Sequence, residues 1–333
     1  MSGSLSWEAD IWGKIRSNKR AFSASYLQSV SAHQAVKTNL IASIAATYYQ
    51  LLALDKQLEV AHQTLEARKN SLETTVALKD AGQVTEVAVK QTEAQVHTTE
   101  IIVIDLENNI KLLENAFSIL LGEAPQKIQR GTLDDQSIDT ELSTGVPYLL
   151  LANRPDVMQA EYGLINAFEL TNVAKSSLYP SLSLSATGGF QSLEFDNWLD
   201  ASSLFSTLVG SLTQPIFNGR RLRTQMEVAK AQQEQALLNY KQALLTAGRE
   251  VSDALYTYEA ETEKLEARSK ELDAYAKAED YSEELLNNGL ANYLEVLTAR
   301  QNALNSELNL VDSQYSRLSA IVELYRALGG GWK

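Results

Sequence analysis

Apolar positions recur every seven residues along most of the chain. Leu237, Leu244, Val251, Tyr258, Leu265 and Leu272 form one series, and Leu290, Leu297, Leu304, Val311, Leu318 and Tyr325 another. Leu294, Leu308, Tyr315 and Val322 run beside the second. Nearer the N-terminus, Val30, Ile44, Leu51, Leu58 and Leu65 hold an equivalent series that Lys37 interrupts, and Val89, Val96, Val103, Ile110 and Phe117 continue it. A sustained heptad predicts helices packed side by side as in coiled coils. Small residues such as Ala243, Ala247 and Ala254 predict neighbours on more than one side. Between Asn18 and Lys79 there is neither proline nor glycine, which allows roughly 90 Å of continuous helix at about 1.5 Å per residue. From Arg220 to Asn287 the one glycine is Gly248. Gly82 and Gly289 sit where the heptad stops and restarts, so each is predicted to end a helix in the left-handed conformation and turn the chain back on itself.

Displaced by 207 positions, the sequence matches itself without a gap: Arg16 meets Arg223, Ile44 Val251, Leu58 Leu265, Glu59 Glu266, Gly82 Gly289 and Gly122 Gly329. A slip of one residue extends the match back to Gly13 and Gly219. Side-by-side helices explain why length is preserved, since one inserted residue turns every later side chain by about 100°. The chain therefore reads as a duplicated helical hairpin.

Three segments change period from seven to two. Leu5, Trp7, Ala9 and Ile11 alternate with Ser6, Glu8, Asp10 and Trp12. Leu182, Leu184 and Ala186 alternate with serines and Thr187, and Leu208, Gly210, Leu212, Gln214 and Ile216 with Val209, Ser211 and Thr213. Each run has the length of a tilted membrane strand with hydrocarbon on one side and water on the other. A half-buried strand in a soluble sheet alternates equally well; helices of such length beside so few strands favour the barrel. The predicted division is a barrel strand over 1–12, a helical hairpin over 13–122 with its tip near 82, and an equatorial connection over 123–153. A helix over 154–178, a barrel hairpin over 179–218, a second helical hairpin over 219–329 with its tip near 289, and a tail over 330–333 complete it. By the logic of the repeat, the first copy's own helix and first strand are expected upstream of Met1. The start, Met1-Ser2-Gly3-Ser4, carries neither a basic nor an apolar signal region and resembles the beginning of a truncated chain.

Composition sharpens this picture mainly by exclusion. There are 29 basic against 42 acidic residues, a net charge of −13, so the nucleic-acid backbone is not an expected partner. The absence of cysteine excludes disulfides, thiolate metal sites and cysteine nucleophiles. No apolar run is long enough for a transmembrane helix. His33, His62 and His97 are scattered, no phosphate-binding loop is present, and the carboxylates read as solvated helix faces, so no enzyme activity, cofactor or metal is expected.

Four motifs bear a family likeness. Trp7-Glu8-Ala9-Asp10-Ile11-Trp12-Gly13-Lys14-Ile15-Arg16 resembles the W-E-x-D-x-x-G-x-x-R strand end of outer-membrane efflux factors, the TolC-type channels, and in particular their lipoprotein branch. Leu149-Leu150-Leu151-Ala152-Asn153-Arg154-Pro155-Asp156-Val157 resembles that family's L-L-x-R-R-P-D-V signature, with Asn153 in place of the first arginine. Tyr179-Pro180-Ser181-Leu182-Ser183-Leu184 is similar to its F-P-x-L-x-L strand start. Gln214-Pro215-Ile216-Phe217-Asn218-Gly219-Arg220 resembles its P-I-F-x-G-G turn, with Arg220 where a second glycine is common. The resemblance implies a mainly α fold with a small β part: two tandem coiled-coil hairpins that build an α-barrel, plus strands of a shared transmembrane β-barrel, in a homotrimer. It implies an outer-membrane exit duct of a tripartite efflux pump, passively exporting drugs or other small molecules, with its helices in the periplasm. Its partners would be outer-membrane lipid, a periplasmic adaptor (membrane fusion protein) and an inner-membrane pump.

By the same resemblance, Ala81, Gly82, Gln83 and Val84 in one tip and Asn288, Gly289, Leu290 and Ala291 in the other fall where the adaptor is contacted. Leu294 falls on an apolar constriction ring, Glu295 on a carboxylate ring, and Thr298 where another acidic residue is often found. Three converging Glu295 side chains would repel one another and attract cations, giving a gate sensitive to pH and divalent ions; the alternative is an outward surface position. Two further readings remain, a periplasmic adaptor and a structural coiled-coil rod. The first lacks a visible lipoyl-like β-domain, and the second has no use for the alternating segments.

Overall fold

A computed structural model describes residues 1–136 and 153–331. Most of the predicted equatorial connection, Leu149–Ala152 of the signature and the last two residues of the tail lie outside the described residues. Among the described residues, five α-helices and three strands run in the order β1 (Ser2–Ala9), α1 (Lys14–Asp80), α2 (Glu86–Leu120), α3 (Pro155–Ser176), β2 (Ser181–Phe190), β3 (Leu204–Thr213), α4 (Arg221–Asn287) and α5 (Tyr293–Ala327). The duplication is visible to the residue. Helices α1 and α4 both have 67 residues, α2 and α5 both have 35, and every boundary of the second pair lies 207 positions after the first. This equality removes the one-residue slip expected from sequence. The partner of Gly13 is Arg220, not Gly219, and both have left-handed backbone, at φ 74° and 64°. Among the described residues Arg220 is the one non-glycine with positive φ. A side chain there costs on the order of 1 kcal/mol relative to glycine.

The chain divides into two compact units, one of Met1–Ala35 with Leu151–Ala247 and one of Val36–Leu150 with Gly248–Lys333. The first holds an antiparallel sheet of order β1-β2-β3. Its register sets Leu5 opposite Ala186 and Trp7 opposite Leu184, and Ala186 opposite Leu208 and Leu182 opposite Leu212. Directly opposed residues share a face, so one face carries Leu5, Trp7, Ala9, Leu182, Leu184, Leu208 and Leu212, and the other Ser4, Ser6, Glu8, Ser183, Ser185, Thr207 and Ser211. Among the described residues the apolar face is uncovered, with Leu5 at 71% and Leu212 at 72% exposure. Both outer strands lie closer to the N-terminus than the alternation suggested. Ile11 and Trp12 turn out of β1, and Gln214 and Ile216 lie beyond the end of β3, because the chain must turn there into the long helices.

The motifs are the joints of this unit. Asp10 accepts from the backbone N–H of Ile15 (2.8 Å) and Arg16 (3.0 Å) at the start of α1, and the Arg16 guanidinium closes back onto its carboxylate. Trp12 stacks on Tyr179 with ring centroids 4.7 Å apart and donates from Nε1 to the Pro180 carbonyl. Arg154 pairs with Asp156 on either side of Pro155, which occupies the first turn of α3. Helix α3 then serves both long helices. Its Glu169 accepts two hydrogen bonds from Arg20 of α1 (2.6 and 2.9 Å), and its Thr171 hydroxyl donates to the Ala229 carbonyl of α4 (3.1 Å).

In the second unit the predicted seam of α2 is buried throughout, at Val89, Val96, Val103, Ile110 and Phe117. A core cluster joins Leu52 and Ala53 of α1 to Val311 and Leu318 of α5, and Leu133 from the segment after α2 closes it. That segment is held by Arg130, whose buried guanidinium donates to Asp55 of α1 (2.8 Å) and Glu114 of α2 (2.6 Å).

Candidate duct tips and gate

Both hairpins turn by the same backbone chemistry. At the first tip the N–H of Gly82 donates to the Lys79 carbonyl and that of Gln83 to Leu78; at the second, Gly289 donates to Leu286 and Leu290 to Leu285. These paired bonds are a Schellman motif, which needs a left-handed residue, and the glycines have φ 74° and 70°. Ala81, Gly82 and Gln83 are exposed and Val84 half-buried; Asn288, Gly289 and Leu290 are exposed and Ala291 half-buried. The tips differ where the returning helix begins. In the first, Lys79 pairs with Glu86 across the turn (3.0 Å), and the Thr85 side chain leaves the start of α2 without a capping hydrogen bond. Hydrogen bonding to Glu86 raises the Lys79 pKa above its usual value.

In the second tip Asn292 caps α5. Its Oδ1 accepts from the Glu295 backbone N–H (3.1 Å), an N-cap bond, and its Nδ2 donates to Glu295 Oε1 (2.9 Å), so the two side chains are tied together. The Glu295 carboxylate is therefore held at the tip in the first turn of α5. Leu294 is 59% exposed among the described residues. Thr298 is also exposed, and its hydroxyl donates to the Leu294 carbonyl (2.9 Å). Leu294, Glu295 and Thr298 thus come together on the first turns of α5. The matching positions of the first repeat are Val87, Ala88 and Gln91, none of them ionisable.

Sequence reasoning missed Asn292. Its signal was present, an asparagine three residues before a glutamate at the start of an apolar run. It also missed Tyr293, Arg68 and Arg300, which carried no local signal because their partners lie on other helices.

No helix among the described residues is long and apolar enough to cross a membrane. The family model for outer membrane efflux proteins matches residues 1–123 and 146–330. The chain belongs to the outer membrane efflux protein family. It is 27% identical over 329 residues to the cation efflux system protein CusC of Escherichia coli O6:H1, covering 98% of this chain and 72% of that protein. It is 29% identical over 330 residues to the toluene efflux pump outer membrane protein TtgF of Pseudomonas putida, covering 99% and 68%. Among solved structures it superposes on the outer-membrane channel OprN with TM-score 0.95 at 27% identity, covering 99% of this chain and 74% of that one. The corresponding values for a CusC structure are 0.92, 27%, 99% and 77%.

This efflux-family chain is an outer-membrane channel component of a tripartite efflux pump. It functions as a homotrimer whose helices build a periplasmic α-barrel, paired with a periplasmic adaptor and an inner-membrane pump. The adaptor and rod readings give way to the channel. The family and these relatives are channel proteins, not enzymes.

Proposed function

We propose that the turns of residues 81–84 and 288–291 are the adaptor-contact ends of the duct, and that Leu294, Glu295 and Thr298 line its constriction. The observation that carries this reading is the clustering of an uncovered leucine and an oriented carboxylate on the first turn of α5, beside the Gly289 turn. In a trimer, three copies of Leu294 form a dewetted ring, and three Glu295 carboxylates form a negative ring that binds cations. The first repeat supplies no carboxylate there, so the ring has three charges rather than six. The duct itself is passive: energy comes from the inner-membrane pump, and the chain contributes no catalytic step. Residues 1–12 and 179–218 belong to the membrane barrel, 13–122 and 219–329 to the tunnel, with 154–178 as a helix between them, 123–153 as the equatorial connection and 330–333 as the tail. Relatives are named for cation, toluene and solvent efflux, a range that suits a tunnel selecting by width and charge rather than by a shaped pocket.

Single-channel conductance in planar bilayers tests the gate. Glu295→Ala should raise conductance and weaken block by divalent cations. Glu295→Gln keeps an acceptor for Asn292 but removes the charge, so it should act in the same direction. Conductance and cation block unchanged in both variants would remove Glu295 from the gate.

A further inference from the structure

A cavity of about 210 Å³ lies between three helices of the second unit, with α1 of one hairpin on one side and α4 and α5 of the other hairpin facing it. Arg68 of α1, Glu279 and Glu283 of α4, and Arg300 and Glu307 of α5 line it, and the tip reading uses none of them. Arg68 is only 3% exposed. Its guanidinium donates to three neutral acceptors, the Gln95 carbonyl (3.1 Å), the Thr99 hydroxyl (2.7 Å) and Oε1 of Gln301 (3.1 Å). The buried Nε of Arg68 has no acceptor among the described residues. Arg300 donates to Glu283 (2.9 Å) and to the Ser71 hydroxyl (2.7 Å), and a Glu279 oxygen lies 3.7 Å from it.

Two guanidiniums thus face three carboxylates across a small polar space. Arg300 matches Glu283, which leaves Arg68 against both Glu279 and Glu307 and one negative charge in excess. A polar cavity of this size has room for several waters at about 30 Å³ each, and a water can accept from Arg68 Nε while donating to a carboxylate. A half-buried charge in excess is relieved by a proton. Burial raises the Glu279 pKa; Arg300 and Arg68 oppose the rise, while Glu283 and Asp280 add to it. Burial also raises that of Glu307, with Lys56 opposing and Glu59 adding. When a folded carboxyl has a pKa above its unfolded value, its ionised form costs stability at neutral pH. That cost is relieved as pH falls through the raised value.

We propose that this cavity is a hydrated proton-binding site, in which Glu279 and Glu307 hold a proton beside Arg68 while the two hairpins of a copy are packed, and release it to the periplasm when they part. Binding and packing are then reciprocal, so acid favours the packed arrangement and neutral pH its opening. The proposal rests on the trimeric channel and not on the role of Glu295. Thermal melting of the purified trimer, wild type against the double variant Glu279→Gln with Glu307→Gln, tests the site, because glutamine keeps the shape and never ionises. At neutral pH the glutamine pair should melt about 2–4 °C higher, and the gap should close near about pH 5 as the wild type takes up its proton. A gap of the same size at both pH values, no gap, or a lower midpoint for the glutamine pair at neutral pH overturns the proposal. Should the pair fail to assemble, Glu279→Gln alone is read in the same way. Single-channel recording tests the coupling to parting, in chains that also carry Glu295→Gln so that no titrating carboxylate at position 295 contributes. Acid should lower the open fraction, and the glutamine pair should remove that response. An open fraction that ignores pH, or an acid response that survives the pair, overturns the link between proton and hairpins.

Discussion

Helices α1 and α4 are the same length, start and end in the same register, and are covered on different stripes. Ala21 and Ala24 of α1 are buried, while their counterparts Val228 and Ala231 of α4 are exposed. One position along, the relation inverts: Phe22 is exposed and Ala229 is buried beneath Thr171. Deeper in the repeat, Leu52 sits in the core and Glu259, its counterpart, faces out. A single helix accounts for the first two differences. α3 lays Glu169 and Asn166 against α1 and Thr171 against α4, so it must meet two copies of one backbone on unlike faces. Duplication therefore preserves backbone length and turn chemistry, while burial follows the neighbour.

The sharpest way to break this comparison is to cut the same position in both repeats. Leu52→Ala should destabilise the purified trimer by about 2–5 kcal/mol through a lost side chain and the cavity left behind. Glu259→Ala should stay within about 0.5 kcal/mol. Equal shifts in thermal midpoint would mean that the repeats share their burial after all. The turns should behave alike where the surfaces do not: Gly82→Ala and Gly289→Ala should each lose about 1–2 kcal/mol in denaturant unfolding, because both glycines are left-handed. A smaller difference separates the helix starts. Asn292→Ala should cost about 1 kcal/mol and Thr85→Ala clearly less, since only Asn292 makes a capping bond. Smallest of all is Arg220→Gly. Relief of the left-handed strain, roughly 1 kcal/mol, is largely offset by glycine's greater freedom when unfolded, leaving a slight gain in midpoint. A loss there would show that the Arg220 side chain stabilises the turn in some other way.

What could be read from the chain alone was whatever a residue and its near neighbours decide. Glycines at 82 and 289 announced left-handed turns, the heptads announced helices, and a gap-free match at a displacement of 207 positions announced two equal hairpins, because each signal is local or periodic. The two-period runs announced strands, and their motifs pointed to the channel family. Their ends were misjudged by a few residues, since the alternation continues past Ala9 and Thr213, where the strands end and the chain turns toward the helices. Tertiary structure decided which heptad positions are covered, because a stripe of leucines does not say which helix will lie on it. It also decided that Arg68, Arg300 and Tyr293 meet partners more than twenty residues to over two hundred residues away. Hydrogen-bond partners at such separations are chosen by packing, and packing leaves no period in the sequence.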